Sequence, residues 1–157
     1  MEKGIFSNRY VLMQNDMQVG ELINKTFSQT AYGELNGKKY QFITSGFFKQ
    51  STEIIDTNTK AIVGRITYSI WSSKATISLN DETLYWKQVS IWKSKWEISN
   101  AAHEIMEISG SPIKGEIEAN TSNELHLLCG IYITNYYWEV IIFILIMVFV
   151  MTSISSL

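Results

Sequence analysis

From Val140 to Met151 the chain passes through twelve residues without a polar side chain, and no charge follows Glu139. As a helix this stretch is about 18 Å long. It is apolar on every side rather than along one stripe, so it demands surroundings that are dry all round. Two environments meet that demand, the interior of a folded domain and a lipid bilayer. A bilayer span needs roughly twenty residues for a hydrocarbon core of about 30 Å, and a shorter run reads more readily as a core helix. Extension to Leu157 adds TSISSL, which is rich in hydroxyls, and the nearest Lys or Arg is Lys114, so basic flanks are missing. The sequence therefore predicts a buried central helix over about 136–151. Trp138, Ile141, Ile142, Phe143, Leu145, Ile146, Val148 and Phe149 are its packing residues, Asn135 is its cap, and Glu139 sits in its first turns. A tail anchor in a membrane, below a cytosolic β domain, is the alternative.

Before the tail the hydropathy period is two. In AIVGRITYSIW, Ile62, Gly64, Ile66, Tyr68 and Ile70 fall on one face, and Val63, Arg65, Thr67 and Ser69 on the other. ATISL and IKGEIEA repeat the pattern, which is that of strands with one dry and one wet face. Turn residues recur at short intervals, among them Asn15-Asp16, Asn36-Gly37, Asp56-Thr57-Asn58, Asn80-Asp81 and Ser99-Asn100. Asn36-Gly37 suits a type I′ hairpin because both residues tolerate positive φ. About twelve strands are expected, near 8–14, 18–23, 26–34, 39–44, 47–55, 60–68, 69–79, 83–88, 90–98, 102–108, 113–119 and 124–133. No linker or repeat divides the chain, so residues 1–157 read as one domain.

Closing many short antiparallel strands into a barrel removes their edges. Twelve strands about 4.8 Å apart and tilted about 40° give a radius near 12 Å, too wide for wall side chains to fill. A hydrophobic helix on the axis fills it. The expected fold is therefore mainly β, a closed antiparallel barrel around a C-terminal central helix.

Strand phrases such as KAIVGRITYSIWSSKATISLNDETLYWK and KWEISNAAHEIMEI, followed by GEIEA and the greasy terminal helix, resemble the tubby-like superfamily. That group holds the tubby C-terminal domain, the LURP-one-related proteins and the phospholipid scramblases. The resemblance covers roughly residues 8–151 and lies in architecture. It implies a twelve-stranded barrel around a hydrophobic helix, and family roles of phosphoinositide binding or lipid movement. The chain departs from scramblases in lacking a Pro-rich leader, a cysteine cluster and an acidic calcium-binding run.

No catalytic motif emerges, so a non-enzymatic protein without cofactor or metal is expected. HEIME, His103 to Glu107, lacks the second histidine of a helical zinc site, and on a strand Glu104 faces away from His103. Cations with neighbouring tryptophans make the fuller candidate set, Arg65, Lys74, Lys87, Lys93 and Lys95 with Trp92 and Trp96, for phospholipid headgroups or a partner at a membrane surface. The plainer reading has the lysines solvating the outer face and the tryptophans packing inward. A net charge of −2 argues against nucleic acid. Cys129, the single cysteine, lies in LHLLCGIYI as a buried thiol, and with no apolar leader at the N-terminus a cytoplasmic protein, peripheral to membrane, is expected. A small-ligand barrel with a polar pocket beside His103 or His126 is a further alternative. Gly64 and Gly115 on apolar faces fit close approach of a central helix or, equally, bulges and bends.

Overall fold

A computed structural model describes residues 7–25, 29–46, 50–90, 92, 94–111 and 114–155. Eleven strands follow one another in chain order: β1 (Ser7–Gln14), β2 (Met17–Lys25), β3 (Thr30–Leu35), β4 (Lys38–Ser45), β5 (Ser51–Asp56), β6 (Ile62–Ser69), β7 (Lys74–Leu79), β8 (Thr83–Ser90), β9 (Lys95–Ser99), β10 (Glu104–Gly110) and β11 (Gly115–Ala119). One helix, α1 (Glu124–Ser155), ends the chain. Each strand pairs antiparallel with its neighbour in sequence, giving a single up-and-down sheet. Tight turns carry the topology. Asn36 and Gly37 have φ of 50° and 79°, and Asn15 and Asp16 of 50° and 62°, the positive values that reverse a twisted hairpin.

The period-two faces sort as the sequence predicts in the central strands, whereas Ile62 and Ile70 at the ends of their run and all of β11 are exposed. Leu22, Phe42, Ile54, Ile66, Ile77, Leu84, Trp86, Trp96, Ile98 and Met106 line the inner face and are buried. The sheet curves about the first half of α1, whose Leu128, Cys129, Ile133 and Tyr137 complete the core.

Two expectations need correction. Residues 124–133, expected as a twelfth strand, are the opening of α1, and Asn123 caps it by accepting the Leu125 N–H at 2.9 Å. A short apolar run has no period to separate strand from buried helix, which is why LHLLCGIYI reads both ways. With eleven strands the barrel is not closed, because β1 and β11 pair with no common partner and not with each other.

The burial within α1 is also displaced from the expected segment. The enclosed part runs from Leu125 to Trp138, whereas Ile142, Phe143, Leu145, Ile146, Val148 and Phe149 are exposed and Ile141 is only half-buried. Trp138 alone of the expected packing residues meets the wall, edge to face with Trp96 at 5.6 Å. The reason is length. Strands of six to eight residues stand about 20–27 Å tall, which about sixteen helical residues already fill. The remaining half of a 32-residue helix has no wall beside it.

Close approach of helix and wall occurs at Gly33 and Gly130, where an added Cβ would lie 3.1 Å from Leu128 and 2.9 Å from both Ile98 and Met106. Gly64 instead meets Leu79 and Ser78 of the neighbouring strand, and Gly115 meets Ser109, so neither marks the helix.

Candidate functional site

The meander places its connections on two opposite ends. Those leading from β1, β3, β5, β7 and β9 share one end, and those from β2, β4, β6, β8 and β10 share the other. The first end is polar, with Asn15-Asp16, Asn36-Gly37, Thr57-Asn58-Thr59 and Asn80-Asp81 in its turns. There α1 begins, held by an ion pair of Glu124 with Lys38 at 2.9 Å and a contact of His126 Nε2 with Glu82 at 2.5 Å. A hydrogen bond from Lys38, and after it one from the Glu124 backbone N–H, keeps the Glu124 carboxyl below its usual range.

At the second end α1 leaves the sheet through a collar of aromatic and polar side chains. Tyr137 stacks on Trp86 at 4.4 Å and its hydroxyl donates to the carbonyls of Lys74 and Ser69, which flank the β6–β7 turn. Tyr136 stacks on Tyr68 at 4.1 Å and donates to Gln50. Tyr132 stacks on Phe42 and shares a 2.6 Å hydrogen bond with Thr44. Tyr10 donates to Asn135 at 2.5 Å, and Asn24 to Glu139 at 2.9 Å. Beyond Glu139 this web stops, and eleven large apolar side chains between Ile142 and Ile154 stand exposed.

Trp71, in the short 3-10 turn Ile70–Ser72, and Trp92, between β8 and β9, are on this same end, both fully exposed. Their sequence neighbourhood is apolar too. Phe27, Phe47, Phe48, Ile91 and Ile113 belong to the connections between these strands in the sequence and lie outside the described residues.

The expected cations fall partly together. Lys74 is the first residue of β7 and stands directly across from Lys87 on β8, while Lys95 opens β9 just after the turn that holds Trp92. Lys87 is paired with Glu97 at 2.8 Å and Lys95 with Glu107 at 2.6 Å. Arg65 sits further along β6 and pairs with Glu53 at 2.7 Å. Lys93 lies outside the described residues, and Trp96 is buried in the inner face rather than offered to a surface.

His103 is exposed in the β9–β10 connection, and the His126 ring is bonded among Glu82, Thr121 and Asn123. No cluster of three or more metal-ligating side chains occurs among the described residues. Cys129 is fully buried, and burial pushes its thiol far up. Trp71 escaped the sequence reading, which held Trp92 among its candidates and the tail anchor as an alternative; that these features share one end needs the strand pairing to be known.

Comparison with family models, with curated proteins and with solved structures finds no match.

Proposed function

We propose that the protein is a non-enzymatic β module anchored in a membrane by its own core helix. Residues Glu124–Glu139 serve as the core of the sheet, and Val140–Ser155 insert into the bilayer. The observation that carries this reading is the switch from buried to exposed within one continuous apolar helix at Glu139. The helix is long and apolar enough to cross a membrane, and only 6% of its most apolar window is buried. Residues 140–155 rise about 24 Å, short of the roughly 30 Å of a hydrocarbon core by an amount that local thinning of the bilayer accommodates. Trp71 and Trp92 then stand at the level favoured by interfacial tryptophan.

Magnitudes favour insertion over headgroup capture. Transferring eleven large apolar side chains from water, at about 1.5–3 kcal/mol each, supplies on the order of 15–30 kcal/mol as an upper bound. A cation near an anionic surface contributes about 1 kcal/mol, and less when already paired. Lys74, Lys87 and Lys95 accordingly tune the contact with phosphate rather than create it. The likeness to the tubby-like superfamily is kept in this proposal for architecture alone, strands followed by a core helix.

Vesicle flotation tests it. The full chain is expected to float with phosphatidylcholine vesicles, to resist high-salt and alkaline washes, and to need no anionic lipid. Val148→Arg, in the exposed half of α1, is expected to weaken vesicle partitioning about a hundredfold while leaving the circular dichroism of the sheet unchanged, since a central Arg costs about 2.5–3.5 kcal/mol on insertion. A full chain that remains monomeric in buffer, or that binds only anionic vesicles and is stripped by salt, defeats the reading.

A further inference from the structure

The two outer edges of the sheet face a common cleft. It has a volume of about 1100 Å³ and runs along α1 between β1 and β11. Ten antiparallel pairings separate these strands, so β1 and β11 point the same way. A strand placed between them runs antiparallel to both, the more stable pairing mode. Open edges of this kind are the surfaces on which proteins acquire an extra strand.

Three further observations fit an occupant. Ile117 faces inward beside buried Ile108 yet remains 37% exposed, since among the described residues no strand flanks the outer edge of β11. Trp96 and Trp138 line the cleft with apolar ring surface suited to apolar side chains. On the outer face a row of directly opposed residues reads Lys87, Glu97, Glu107 and Glu118. Lys87 and Lys95 pair with Glu97 and Glu107, whereas Glu118 has no ion pair among the described residues. Like charges directly opposed across strands are unfavourable, and a cation at the next position in the row relieves them.

We propose that the seam between β1 and β11 binds one extended segment of a partner protein, antiparallel to both edges. Its inward side chains are apolar, packing on the tryptophans and Ile117, and a Lys or Arg stands opposite Glu118. This does not depend on membrane anchoring.

The test uses the full chain in lipid nanodiscs and an eight-residue peptide alternating valine with threonine and lysine. Two variants of the peptide are N-methylated on alternate residues, one on the odd and one on the even positions. A strand on a single edge tolerates one set of methyl groups by turning its other face to the protein, whereas a strand in the seam tolerates neither. The expected result is slowing of amide exchange in both β1 and β11 by at least tenfold, with binding weakened at least tenfold by either methylation pattern. Glu118→Lys is expected to weaken the lysine peptide and to favour one carrying glutamate instead. Protection of one edge only, equal binding of a methylated peptide, or no protection overturns the proposal. So does protection of both edges without peptide, which would mean that an acyl chain or the protein itself already fills the seam.

Discussion

Glu139 is the last charged residue of the chain, and Asn24 and Asn135 both donate to its Oε1. The tyrosines of the collar, on α1 just before it and on β1 and β6, carry polar links between helix and wall, and burial is the first cause of their raised pKa values. Tyr10 and Tyr137 are pushed up to about 12, and Tyr68, Tyr132 and Tyr136 are raised as well. A phenol whose folded pKa exceeds its unfolded value gives its full contribution below about pH 10 and loses it as pH rises toward the folded value. Stability is therefore expected to fall from about pH 10 upward, with these tyrosines ionising together as the near-ultraviolet circular dichroism disappears. Ionisation of all of them at ordinary phenol pKa in a still-folded chain would show that the collar is loose. At this scale the sequence is readable in part. NYYWE announces aromatic and polar residues next to a greasy run, but nothing in it says that Tyr137 reaches Lys74 or that Gly130, not Gly64, faces the opposite surface.

Strands were legible as elements because period-two alternation and positive-φ turn residues act locally, and the Asn36-Gly37 hairpin has the conformation its sequence demands. The helix was legible in existence and wrong in placement. Its enclosed half has the mixed composition of a buried element, while its most apolar half is the part that leaves the sheet. Apolarity marks a dry environment without saying which one, and only the height of the wall divides the two halves. A pair of matched truncations reads this division. Leu128→Ala, at a position with no exposure, is expected to cost the sheet about 2–5 kcal/mol in denaturant unfolding. Leu145→Ala, at a position 63% exposed, is expected to stay within about 0.5 kcal/mol. Equal losses at the two positions would mean that the sheet also encloses the second half.

For the whole molecule the order of elements sets the order of assembly. All eleven strands precede the residues that fill their inner face, so Leu22, Phe42, Ile66, Trp86 and Ile98 have no complete core until Leu128, Ile133 and Tyr137 arrive. A sheet without that helix exposes an apolar concave face as well as its two edges, and such surfaces aggregate. The β module and the exposed half of α1 are thus separable at one residue, whereas the β module and the front half of α1 are not. A chain ending at Glu139 is expected to be soluble, monomeric and cooperatively folded, with fixed near-ultraviolet circular dichroism and a single denaturant transition. A chain ending at Asn123 is expected to aggregate or to stay unfolded, although it keeps every strand. The two products, compared by gel filtration and circular dichroism, separate the roles of the helix halves: a folded 1–123 would remove α1 from the core, and an aggregating 1–139 would return Val140–Ser155 to it.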